Sequence, residues 1–225
     1  MPAINENSER VSMASAAPAE RILLWLGWAD KDYLAARRLL LNAYLSQGAA
    51  LANTAVEKYL KTLYMIIGRK APRSHDIVAL HESVLEDFGN LQELNVTFLK
   101  VLRNVYRLRY PDDLEVGFSV SLAQPKVLTE LDRTVHHIRK GFAFRKVSGE
   151  PVESILDWMI KRNDTDLLDA NCYLGIVQRV EVIEKLCNCL EMRVVEPDRI
   201  LETCYQARIA DDGDLPLEGL RPQTP

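Results

Sequence analysis

Four side chains near the middle of the 225-residue chain concentrate the most chemistry in the least space. At about 100° per residue on an α-helix, Arg103, Tyr106, Arg107 and Tyr110 fall within an arc of roughly 100°. Guanidinium forks match the oxygens of a phosphate, and phenol rings offer flat faces on which bases can stack. The set therefore suits RNA or nucleotide binding, with Arg109 alongside. A solvated face, in which Arg stems pack on Tyr rings, uses the same residues.

Proton transfer near neutral pH needs histidine, and four are present: His75, His81, His136 and His137. The adjacent His136-His137 pair borders an apolar stripe and reads as surface or packing. Absent are a Gly-rich phosphate loop, a G-x-S-x-G and an H-E-x-x-H. Acidic residues are scattered, so no metal-dependent nuclease centre is visible; no metal site and no cofactor are expected.

The elements that must position these groups are helical. Ile22, Leu26, Ala29, Tyr33, Ala36 and Leu40 recur at three- and four-residue steps and predict a first helix from Ala19 to about Ala43. Gly48 breaks the pattern; Ala52, Val56, Tyr59, Leu63 and Ile66 restart it, and Gly68 is a natural stop. So short a connection predicts an antiparallel hairpin. After the basic loop Arg69 to Arg73, Ser74 is the expected N-cap of a third helix from His75 to Phe88. The fourth helix carries Leu94, Phe98, Val101, Leu102, Val105 and Leu108 on its apolar side and should stop at Pro111. A loop from Asp112 to Val120 leads to a fifth helix marked by Leu128, Leu131, Val135, Ile138 and Phe142.

The chain thus divides into a flexible N-terminal arm (1–18), an up-and-down bundle of about five helices (19–148), an extension (149–210) and a flexible tail (211–225). Gly149-Glu150-Pro151 marks the main boundary. The extension is expected to be helical over Val152 to Lys161, Ala170 to Leu190 and Pro197 to Ala210. An all-α fold follows, with little alternation suggestive of strands.

Hydrophobic residues make up 48% of the chain and charged residues 27%, ordinary usage for a packed domain. A formal net charge of −4 excludes a generally basic coat, so any nucleic-acid contact must be a local patch. The longest apolar runs fall far short of the ~20 residues that span a bilayer. The polar stretch Asn5 to Arg10 lacks the form of a secretory signal, so the expected location is the cytoplasm, with no membrane partner. Cys172, Cys187, Cys189 and Cys204 lack paired C-x2-C spacing and read as thiols.

Three segments in order, Ala55-Val56-Glu57-Lys58-Tyr59-Leu60-Lys61, Ser74-His75-Asp76-Ile77 and Arg107-Leu108-Arg109-Tyr110-Pro111-Asp112, resemble HEPN domains from about Ala19 to Phe142. The resemblance implies a helical homodimer that presents two copies of the fourth-helix motif across a two-fold axis. It also implies an RNA or nucleotide ligand held by Arg103, Tyr106, Arg107 and Arg109, with Lys58, Lys61, Arg73 and His75 nearby. Ribonuclease members carry an Arg, commonly followed by Asn, then a His and often a Tyr two residues past it; Arg103, Asn104 and Tyr110 fit these catalytic motif positions. Leu108 stands where the His would be, and leucine can neither accept nor donate a proton. Such proteins are often encoded with a small nucleotidyltransferase, in toxin-antitoxin or defence-like systems, and Tyr110 would then be the residue a partner modifies. A metal-independent ribonuclease toxin and a non-catalytic interaction module are the alternatives.

Overall fold

The structure is a computed structural model that describes residues 18–142, 144, 150–175, 177–197 and 199–207. The expected arm, the tail and the boundary at Gly149 lie outside those residues, apart from Pro18, Glu150 and Pro151.

Two long helices, α1 (Pro18–Leu41) and α2 (Leu45–Ile66), form the frame as an antiparallel hairpin. On α1 the buried residues Leu26, Ala29, Tyr33, Ala36 and Leu40 repeat at helical steps. They meet Ala49, Ala52, Val56, Tyr59, Leu60 and Leu63 of α2, all with no solvent exposure. Burying a side chain the size of leucine or valine contributes about 1.5–3 kcal/mol, so this seam dominates the core.

The hairpin turns at Ala43, whose φ of 62° is left-handed, with Tyr44 N–H donating to the Leu39 carbonyl at 2.9 Å. Gly48 does not break the helix, contrary to the sequence reading. It lies in the first turn of α2, where an added Cβ would stand 2.8 Å from two Leu40 side-chain carbons. Its small size lets the two helices close. At the far end Gly68 (φ 69°) donates to Met65 O and Arg69 N–H donates to Tyr64 O, a Schellman cap that stops α2 as expected.

Helix α3 (Ile77–Val84) is shorter than expected, and its N-cap is Asp76 instead of Ser74. Asp76 Oδ1 accepts from Val78 N and Ala79 N at 3.0 and 3.3 Å, while Ser74 Oγ accepts from Asp76 N at 3.0 Å. A short 3-10 turn (Gly89–Glu93) leads to α4 (Val96–Arg107), capped by Asn95, and α5 follows at Gln124–Arg139. Helix α2 is central, touching α1, α3, α4 and α5.

Three antiparallel strands depart from the all-helical expectation: β1 (Ser119–Ala123), β2 (Asn188–Glu196) and β3 (Arg199–Gln206), in the order β1-β2-β3. β1 replaces the end of the expected loop, pairing Val120 with Met192 and Leu122 with Leu190. The helix expected over Ala170 to Leu190 is reduced to α8 (Arg179–Lys185), and that over Pro197 to Ala210 is strand β3. The reason is the alternation of Leu190, Met192 and Val194, which buries every second residue against the bundle, and the β-branched and aromatic content of β3. Apolar residues three or four apart in this stretch imitate a helical period. The first expected helix of the extension stands as α6 (Ile155–Lys161), capped by a Ser154/Asp157 box, and a single turn α7 (Thr165–Leu168) follows.

Buried polar groups tie the extension to the bundle. Arg37 of α1 pairs with Asp132 of α5, and its Nη2 donates to the Asp169 carbonyl at 2.5 Å. Tyr33 donates to Asp132 at 2.8 Å and accepts from Asn171 at 3.3 Å. A second ladder joins Tyr59 and Arg139 to Asp30 Oδ1 (2.6 and 2.7 Å), and Arg139 donates onward to Ser154 Oγ at 2.6 Å. All four cysteines are free thiols.

Candidate functional site

The start of α3 lies against the last turns of α4, and two adjacent residues make the junction. Asp76 uses Oδ1 to cap α3 and presents Oδ2 to Arg103 Nη1 at 3.4 Å. His75 packs its ring on Tyr106, one turn further along α4, with centroids 6.2 Å apart and planes 24° from parallel. Residues 75 and 76 therefore grip positions 103 and 106, three apart on one helix face.

Tyr106 sits at the middle of an aromatic and cationic cluster. Tyr110 meets it edge-on at 6.4 Å, and the Arg109 guanidinium lies 5.1 Å from its ring centre. Burial pushes the Tyr106 phenol above its usual range; Arg109 opposes the shift, while Tyr110 and Glu57 reinforce it. Tyr110 is 53% exposed, and Arg107 and Arg109 are exposed as well.

Glu57 of α2 underlies the cluster. Its carboxylate is almost fully buried, accepts from Lys61 Nζ at 2.7 Å, and lies 3.1 Å through each oxygen from His75 Nδ1. A carboxylate accepts, so this contact calls for an N–H at Nδ1. By sequence alone Glu57 stands out only as part of the Ala55 to Lys61 segment that carries the family resemblance. Its i,i+4 spacing from Lys61 on a buried face was the available signal.

The other expected residues divide. Arg73 is exposed on the loop that leads into the junction, and half-buried Asn104 follows Arg103. Lys61 is buried and committed to Glu57; Lys58 pairs with Asp32 of α1 at 2.5 Å. Arg107 turns toward the ring of Phe118, 5.0 Å away, apart from the Tyr106 cluster. Leu108 follows α4 as its C-cap and lines a cavity of about 550 Å³ with Leu51, Val105, Met192 and Ile200. Leu108 thus lies beside the sheet, in a cavity whose rim also holds Gln47, Thr54, Arg109 and Glu202.

Among the described residues no group of His, Cys, Asp and Glu could hold a metal ion, and no helix is long and apolar enough to cross a membrane. His136 and His137 lie on α5, where burial, helped by the charge of Lys140, pushes both imidazoles below their usual range. His81 is buried, its Nε2 at 3.0 Å from the Leu91 carbonyl.

No curated protein and no solved structure matches the chain. Comparison with known families matches the HEPN domain to residues 22–138, from the first turns of α1 to the end of α5. The match covers just over half of the 225 residues and includes Glu57, His75, Asp76, Arg103 and Tyr106. With the helical bundle that carries them, it establishes that this chain belongs to the HEPN domain family.

Proposed function

We propose that the chain binds RNA or a nucleotide at the junction of α3 and α4, acting as a homodimer that brings two such junctions to one cleft. HEPN membership supports a nucleotide- or RNA-related function in general terms. The observation that carries the finer reading is the cluster of Arg103, Arg109, Tyr106, Tyr110 and His75 on one surface. Guanidinium groups there are placed for phosphate oxygens, and exposed rings for base stacking. Arg73, on the loop before the junction, and Arg107, turned toward Phe118, are exposed as well. A net charge of −4 confines this attraction to the local patch.

A nucleotidyltransferase partner in a toxin-antitoxin or defence-like system belongs to the same reading. Exposed Tyr110 is the residue such a partner would reach.

Fluorescence anisotropy with a labelled single-stranded oligoribonucleotide tests the binding. Arg103→Ala and Arg109→Ala should each weaken affinity about 5- to 20-fold and lower the salt slope by about one. Unchanged affinity in both would return this surface to packing alone.

A further inference from the structure

We propose that the cavity between α1, α5 and α6 is a binding site for a small, uncharged, largely apolar ring compound that donates one hydrogen bond to Asp30. The site is separate from the α3/α4 junction, and neither Glu57, His75, Arg103 nor Tyr106 lines it.

The cavity measures about 530 Å³, within the range of sites that take small organic ligands. Its walls are mostly apolar, with Leu23 and Leu26 from α1, Val135 from α5 and Ile155 from α6. Phe142 and Phe144 add two rings whose centroids are 5.9 Å apart and whose planes are 19° from parallel. Aromatic walls favour an aromatic guest.

Two residues of α1 on this wall are not explained by packing. Gly27 lies well inside the helix, where glycine is less favourable than alanine. An added Cβ would find Ile155 Cδ1 at 4.0 Å and, among the described residues, nothing closer across the fold. Unlike Gly48, Gly27 is therefore not kept small by a neighbouring helix; the side chain it omits leaves room in the cavity. Asp30 stands three positions further along the same face and is fully buried. Its Oδ1 accepts from Tyr59 and Arg139, while its buried Oδ2 has no hydrogen-bond partner among the described residues. Buried acceptors are normally paired, because an unmade bond costs the hydration the atom has lost. Oδ2 is where the N–H or O–H of a guest would be held.

Charge on the wall selects an uncharged donor. Asp30 already faces the Arg139 guanidinium, Asp132 faces Arg37, and Glu153 faces Lys161. Asp157 lies 3.9 Å from Arg139, and Lys140 and His136 also line the cavity. An ammonium ion would give up its hydration to enter beside Arg139 and Lys140, where the carboxylates already have partners. Burial lifts the Asp30 carboxyl above its ordinary range despite Arg139, as expected of a wall that disfavours charge. Because α6 supplies part of that wall, an occupant joins the extension to the bundle.

Isothermal titration of the 225-residue chain with indole, 3-methylindole and 1-methylindole tests the assignment. The two methylindoles are isomers, but only 3-methylindole keeps the N–H. Indole and 3-methylindole should bind at one site per chain, and 1-methylindole at least about tenfold more weakly, since it leaves Oδ2 unpaired. Gly27→Leu should abolish binding and raise the melting temperature, because its side chain fills the space and the helix loses a glycine. Gly27→Ala, a smaller change at an unobstructed position, should weaken 3-methylindole about threefold or more and serves if Gly27→Leu does not fold. Equal affinity for the two methylindoles, or binding untouched by the Gly27 variants, would overturn the proposal. Tighter binding of tryptamine than of indole would overturn the uncharged class, and no binding of indole or 3-methylindole would overturn the site itself.

Discussion

Arg37 and Asp132 form an ion pair in which neither side chain has any solvent exposure. One comes from the first helix and the other from the fifth, and the same guanidinium reaches the Asp169 carbonyl beyond α7. Removing one partner leaves a buried charge without compensation, at a cost of about 3–5 kcal/mol. Arg37→Met and Asp132→Ala should therefore each show that loss in urea unfolding, and the double variant should lose clearly less than the sum.

A second prediction concerns Gly48. Gly48→Ala gains up to about 1 kcal/mol of helix propensity but places a methyl 2.8 Å from Leu40 carbons and 3.1 Å from its backbone nitrogen. Overpacking costs about 1–3 kcal/mol, so it wins, and net destabilisation of about 1 kcal/mol is expected. A higher urea midpoint would show that the α1/α2 turn is not tightly closed.

Lys58 and Arg109 should behave oppositely in RNA binding. Lys58 is paired with Asp32 and half-buried, so Lys58→Ala should leave affinity within about twofold and cost at most about 1 kcal/mol of stability. Equal losses of affinity from Lys58→Ala and Arg109→Ala would mean a diffuse electrostatic attraction in place of a site.

Homodimerisation is the fourth expectation. Sedimentation equilibrium at micromolar concentration should return about twice the chain mass, and a clean monomer would remove the shared cleft.

Stability should depend on pH through His136 and His137. Burial, then the charge of Lys140, lowers both below the ordinary value of 6.5. The unfolded chain accordingly takes up protons that the folded chain refuses, so stability is lost as pH falls from about 6.5 through the lowered values. His136→Gln should flatten the urea midpoint across that window relative to wild type; an unchanged slope would place the titration elsewhere.

Much of this architecture is legible in the sequence. Helical periodicity marks α1, α2, α4 and α5 because each buries a continuous stripe, as Val56, Tyr59, Leu60 and Leu63 do. Strands β2 and β3 are not legible by the same test, since β3 lies mostly exposed and its Ile200–Cys204 spacing fits a helix equally well. In the site, Arg103 and Tyr106 share a face of α4 and can be found by angle alone, whereas Tyr110 lies past the helix end and meets Tyr106 from the turn that follows. The Glu57–His75 contact joins residues 18 positions apart through the loop between α2 and α3, and only tertiary placement reveals it.

Strand β1 has a consequence for synthesis. It ends at Ala123, and its partner β2 begins at Asn188, 188 − 123 = 65 positions later. At roughly 5–20 residues per second, a ribosome leaves β1 without its neighbour for several seconds after the five bundle helices have emerged. During that interval Val120 and Leu122 sit on an open strand edge, an invitation to pair with another nascent chain. A fragment ending at residue 142 should therefore be more prone to aggregate than the longer chain.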